Sequence, residues 1–200
     1  MLRGEFYLFF FGGNMNTEKK ISAKRRRVYQ IAFLGVMIAL SIALIFLVHF
    51  PIFPVVAFLE YDPGDITIII STTIFGPIAG LIVTVAASLI QGITVSAQSG
   101  VYGIIMHIIA TGSYVLAYGL INRRNGELVR QIIAAVAGTL CMTVMMFFAN
   151  MLITPHFMGA PLSMVMDLMP FILLFNLVKA SINSIIAVVI YRTLQRFIKI

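Results

Sequence analysis

Val28 to Val48 is an apolar run of membrane-spanning length without a single charged side chain, and it constrains the fold more than any other stretch. Hydrocarbon offers no water to the backbone, so a segment crossing it closes its own hydrogen bonds as a helix. Further apolar stretches follow at Ile66–Thr94, Val101–Ile121, Gln131–Ile153 and Met164 to about Tyr191. With 60% hydrophobic and 10% charged residues, the chain lies outside the soluble globular range. The fold class expected is all-α: a polytopic membrane protein whose 200 residues leave no room for a separate soluble domain.

Topology follows from the basic residues. Apart from Arg3 and Lys179, every Lys and Arg falls in three segments: Lys19 to Arg27, Arg123 to Arg130, and Arg192 to Lys199. Such segments stay cytoplasmic. Between the loop at His49–Asp65, which holds no Lys or Arg, and the Arg123 segment there must therefore be an odd number of crossings. Ile66–Thr94 is too long for one ordinary span, and Gly76-Pro77 breaks it. Reading it as two short helices, Ile66–Phe75 and Leu81–Thr94, gives six transmembrane helices with both termini cytoplasmic. Residues 1–27 are then a cytoplasmic extension and basic segment, and 28–200 one six-helix membrane domain. Phe6–Phe11 is too short to span, and Met15 followed by Asn-Thr-Glu-Lys-Lys reads as a natural start.

The charge of +7 is divided among ends and one loop, so it marks topology and not a nucleic-acid surface. The single cysteine, Cys141, supports neither a disulfide framework nor a thiolate metal site. No zinc-protease, nucleophile-elbow or phosphate-loop motif occurs, so the chain is expected to be no enzyme, to lack its own ATPase site and to need no cofactor.

Lys179 is the exception to the charge pattern. An ammonium at membrane depth costs roughly 2.5 kcal/mol or more, so it should face a cavity or a partner. It lies thirteen residues before Arg192, or roughly 20 Å along a helix, in the outer half of the bilayer. Asn176, Lys179 and Asn183 fall within an arc of roughly 60° over about 10 Å. With Asn150 from the neighbouring helix and Gln91 from the hairpin they make a site of neutral amides and one cation. Such groups match the edge of a flat heterocycle with imide or ring-nitrogen groups, the Lys donating to a carbonyl. The alternatives are interhelical bonding for the Asn residues and a structural pair for Lys179, with Asp167 as partner. No carboxylate is expected beside Lys179 in the stripe, which argues against a proton path.

The His49–Asp65 loop carries Pro51, Pro54, Pro63 and many apolar residues, so it should fold back on the helices as a lid. Asp65 is placed to cap the helix starting at Ile66, with ligand contact as the alternative. His107 reads as a packed, hydrogen-bonded core group. Gly35, Ala39 and Ala43 recur every four residues, a spacing that lets another helix approach, inside this protein or on a separate membrane subunit.

From about Arg26 onward the chain resembles the substrate-binding S components of energy-coupling factor (ECF) vitamin transporters, specifically the riboflavin-binding branch. The resemblance rests on Phe58-Leu59-Glu60-Tyr61-Asp62-Pro63-Gly64-Asp65-Ile66, Gly76-Pro77-Ile78-Ala79-Gly80, Ser88-Leu89-Ile90-Gln91, Met106 to Gly112, Thr154-Pro155 with Met158-Gly159, and Phe175 to Ala180. It implies a six-helix bundle in a prokaryotic cell membrane. The bundle would bind riboflavin from outside and work with a transmembrane coupling subunit and two ATPases. By position, Asn150, Asn176 and Lys179 would contact the flavin, with Tyr61, Asp62 and Asp65 in a loop near it. Gly35 and Ala39 would dock the coupling subunit. Gly35 stands where Ala is expected, and Gly64 and Thr67 stand where Ser and Pro are expected. An S component for another vitamin, or a membrane scaffold subunit whose Asn and Lys groups only join helices, are the alternatives.

Overall fold

The structure is a computed structural model that describes residues 18–122 and 127–198. Phe6–Phe11, Met15 and Arg123-Arg124 lie outside the described residues. The elements are α1 (Glu18–Leu47), β1 (Phe50–Pro51), a short 3-10 turn (Pro54–Val56), β2 (Glu60–Tyr61), α2 (Asp65–Phe75), α3 (Pro77–Ile93), α4 (Gly100–Ile121), α5 (Leu128–Met158) and α6 (Leu162–Ile198). Four helices carry apolar segments long enough to cross a membrane: Arg25–Leu47, Gly100–Ile121, Leu128–Met158 and Leu162–Arg196. The other two, Asp65–Phe75 and Pro77–Ile93, are shorter and apolar. Large apolar side chains stand exposed along the long helices, among them Ile31, Leu47, Val129, Leu152 and Ile185. A surface of that kind belongs in lipid.

The shortest helix is the innermost. Every residue from Asp65 to Thr72 in α2 is buried, which is why Ile66, Ile68, Ile69 and Ile70 need no polar face among them. Thr67, Ser71 and Thr72 direct their hydroxyls to Gly64, Thr67 and Ile68 carbonyls one turn back, so the buried polar atoms are satisfied locally. Around α2 pack α1, α3, α4 and α6, while α4 also packs on α3 and α5, and α5 on α6. The break between α2 and α3 falls at the expected dipeptide: Gly76 adopts φ 91°, which favours glycine, and Pro77 opens the next helix. Gly80 then permits close approach, since an added Cβ would collide with Thr72 Oγ1 and lie 2.7 Å from Val115 Cγ1.

Helix ends differ from the sequence expectation in one direction. The first helix starts at Glu18, through the basic block, and the fifth continues past Thr154 and Pro155 to Met158. Pro155 sits in the last turns of α5, where losing one backbone N–H bond is tolerable, and Gly159 at φ 60° ends the helix. The expected Thr154–Ser163 loop shrinks to the few residues before Leu162.

The 48–64 connection does fold back on the bundle. Phe50 pairs with Tyr61 and Pro51 with Glu60. Val56, fully buried, packs with Val165, Met169 and Ile172 of α6, and Phe53 meets Phe171 and Phe58 meets Phe157 at ring separations of 6.5 and 6.1 Å. Gly35, Ala39 and Ala43 lie on the exposed side of α1, with nothing within 4 Å of a Cβ built at Gly35. Among the described residues, no side chain packs against Gly35. Gly80→Val should lower the thermal midpoint in detergent, reflecting a loss of roughly 1–3 kcal/mol from overpacking, as followed by circular dichroism.

Candidate ligand-binding site

The face of α6 that carries Asn176, Lys179 and Asn183 turns toward the bundle, and all three side chains are buried. Their roles divide. Asn183 Nδ2 donates to the Asp62 carbonyl at 3.0 Å, and its Oδ1 accepts from the Tyr61 hydroxyl at 2.9 Å. Asn183 is thus occupied in holding the loop before α2. Burial, and then the neighbouring Asp62 carboxylate, push the Tyr61 hydroxyl above its ordinary pKa, which keeps it a donor to Asn183.

Lys179 has carboxylate companions, as the structural-pair alternative allowed, but they come from outside α6. Its Nζ lies 2.7 Å from Asp62 Oδ2 and 3.7 Å from Asp65 Oδ2. Asp167, the partner considered from sequence, is exposed elsewhere on α6. Pairing with distant loop residues wins because both carboxylates are buried beside the ammonium, where attraction is least screened.

Asp65 does not cap its helix through its side chain; the N-cap is Gly64, with no side-chain cap bond. The turn is closed instead by Asp62, whose Oδ1 accepts the Gly64 N–H at 3.0 Å. The Asp65 carboxylate points into the bundle, 3.1 Å from His107 Nε2, and accepts from Thr111 Oγ1 at 3.0 Å. His107 is indeed a hydrogen-bonded interior group, its Nδ1 lying 2.9 Å from Ser88 Oγ. A continuous polar chain therefore links α3, α4, α2, the loop and α6.

Above this chain lies a cavity with about 740 Å³ of empty space, its open mouth included. Its apolar walls come chiefly from Phe58, Ile104, Met142, Met146 and Phe175. Polar groups reach it from three directions: Glu60 and Asp62 of the loop, Ser88 and Gln91 of α3 with His107 of α4, and Asn176 and Lys179 of α6. Gln91 donates to Ser96 Oγ at 3.3 Å, but its Oε1 is buried without a hydrogen-bond partner. Such an atom loses solvation with no return unless a ligand or water supplies a donor. Asn176 donates to the Ile172 carbonyl at 2.8 Å and keeps its Oδ1 for other use.

Of the residues expected at the site, Gln91, Asp62, Asn176 and Lys179 line this cavity, whereas Asn150, Asn183, Tyr61 and Asp65 do not. Asn150 is fully buried, with its amide nitrogen on the Met146 carbonyl at 2.7 Å and its oxygen accepting from Thr154 at 2.8 Å. Glu60, Ser88, His107 and the two methionines were missed. Ser88 with Gln91, and His107 with Thr111, have the three- and four-residue spacing of single helix faces, and that spacing is the signal that could have found them. Among the described residues no cluster of His, Cys, Asp or Glu could hold a metal ion.

Residues 29–191 match the family model for the substrate-specific component of ECF transporters, and the chain belongs to that family. It is a membrane transporter subunit. Among curated proteins it is similar to a riboflavin transporter, RibU, of Staphylococcus aureus (strain TCH60), 24% identical over 194 residues that cover 92% of this chain and 99% of the relative. Among solved structures it is similar to the S component of a bacterial ECF transporter, with a TM-score of 0.76 and 25% identity over 87% of this chain and 99% of that one.

Replacing Lys179 with Met should destabilise the protein by roughly 3–5 kcal/mol, because Asp62 and Asp65 are left buried without their countercharge. The change should also expose the 50–65 segment to faster amide exchange, measured by mass spectrometry.

Proposed function

We propose that this chain is the riboflavin-binding subunit of an ECF transporter. The observation that carries the reading is the cavity itself, in which amide and ammonium groups face apolar and aromatic walls. The name of the S. aureus relative points to the same ligand. A flavin ring offers flat apolar faces to Phe58, Phe175 and the two methionines, and an edge of carbonyl and imide groups to Asn176, Gln91 and Lys179. The Lys179 ammonium has three N–H donors and one hydrogen bond, to Asp62, so it retains donors for a ligand carbonyl. Asp65, Tyr61 and Asn183 act from behind by fixing Lys179 and the loop. Asn150 is one turn along α5 from Met146, and it joins the contacts only by exchanging its intrahelical bonds for the ligand's.

In this reading the chain crosses a prokaryotic cell membrane six times with both ends cytoplasmic. The four long apolar helices, the two short ones joined at Gly76-Pro77 and the gathering of every Lys and Arg except Arg3 and Lys179 into three segments support that topology. The cavity opens outward. The chain has no ATP site and no cofactor of its own, and transport energy comes from a transmembrane coupling subunit and two ATPases. The outward stripe of Gly35, Ala39 and Ala43 is where the coupling subunit docks. An S component for another vitamin would share this architecture, and a scaffold subunit would use the Asn and Lys groups only as joints.

Purified protein should quench flavin fluorescence saturably, and competition among a panel of vitamins should single out riboflavin. Asn176→Leu should weaken binding about tenfold or more, the equivalent of about 1.4 kcal/mol. Wild-type protein without flavin binding would refute the reading, and binding unaffected by Asn176→Leu and Lys179→Leu, with defective assembly, would favour a scaffold.

A further inference from the structure

Ser41 behaves unlike the other serines buried in the bundle. Ser71, Ser88 and Ser184 each donate to a carbonyl one turn back in their own helix, the usual solution for a hydroxyl on a membrane helix. The Ser41 hydroxyl instead leaves α1 and donates to the Gly64 carbonyl at 3.1 Å. With Leu34 and Ile45 it makes up the buried side of α1, turned away from the exposed Gly35, Ala39 and Ala43. Gly64 is a glycine for want of space, since its φ of −59° and ψ of −34° suit any residue. A Cβ there would lie 2.8 Å from Ile45 Cγ1 and Cδ1 and 3.0 Å from Asp62 Oδ1. Ile45 is itself buried, so its side chain has little room to move aside.

Helix α1 thus grips the turn before α2 at two points, a hydroxyl on the Gly64 carbonyl and an apolar side chain against its Cα. The same turn sets the Asp62 carboxylate. Oδ1 accepts the Gly64 N–H at 3.0 Å, and Oδ2 accepts from Lys179 Nζ at 2.7 Å. A shift of Gly64 therefore swings the carboxylate that holds the ammonium. No residue of α1 lines the cavity, so α1 reaches it only through such contacts. We propose that Ser41 and Ile45 are positioning residues for the ligand site. They fix the Gly64 turn and, through Asp62, the direction in which Lys179 presents its remaining N–H donors. The role rests on the cavity binding riboflavin.

The test uses the full chain in detergent, with the riboflavin dissociation constant read by fluorescence and amide exchange followed over residues 60–66. Gly64→Ala should weaken binding about tenfold. In an Ile45→Ala background, where the obstructing atoms are gone, the same substitution should cost about threefold or less. Ser41→Ala is the milder change, because the Gly64 carbonyl keeps its bond from Thr67. It should weaken binding about threefold and speed exchange over 60–66 in the ligand-free protein, and it decides the matter if Gly64→Ala does not fold. An equal affinity cost of Gly64→Ala in both backgrounds would overturn the proposal. So would variants that lose thermal stability while binding riboflavin as tightly as the wild type. Wild-type protein that binds no riboflavin ends the functional reading and this inference with it, whereas wild-type binding that these variants leave unchanged ends the inference alone.

Discussion

The contact between Lys179 and Asp62 joins two parts of the chain that sequence separates by 117 residues. One partner belongs to a long helix. The other belongs to an irregular connection whose backbone would otherwise be loosely held. An isolated ammonium in the bundle would be expensive, and so would an isolated carboxylate; together they are tolerable, and the geometry that brings them together places the loop over the cavity. Asn183 and Tyr61 reinforce the joint through bonds to the same segment. Asp65 extends it to His107 and Thr111 of α4 and, through His107, to Ser88 of α3.

The lining of the cavity and the position of the loop consequently draw on the same groups. Lys179 faces the cavity while holding Asp62, and Asp62 lines the cavity while closing the turn that starts α2. A ligand carbonyl that attracts Lys179 acts on the loop by the same atom. The apolar part of the loop is anchored separately, through Val56 against Val165, Met169 and Ile172. Its tip and its base are therefore held by different forces, packing at one end and charge at the other.

Much of this architecture was legible in the sequence. The long apolar runs, the Gly76-Pro77 break and the aromatic loop each carry a local physical signature, respectively hydrophobic length, turn stereochemistry and unsolvated side chains. Lys179 announced a protected environment by its energetic cost alone. What its partners were could not be read, because no periodicity links residue 179 to residues 62 and 65. For the same reason Asp65 looked like a cap: a carboxylate at a helix start satisfies the local rule, and only the tertiary packing of α4 and α6 redirects it. Asn150 looked available by depth, yet Thr154 one turn on takes its oxygen. Pro155 resembled a helix end but falls where the helix is nearly finished.

The central claim is that the ion pair, rather than either residue alone, holds the loop to the bundle. A double-mutant cycle with Asp62→Asn, Lys179→Met and the combination, read as the free energy of loop opening from amide exchange, tests it most directly. The account predicts a coupling of about 1 kcal/mol or more, with the double variant less disturbed than the sum of the singles. Effects that add within about 0.5 kcal/mol would contradict it.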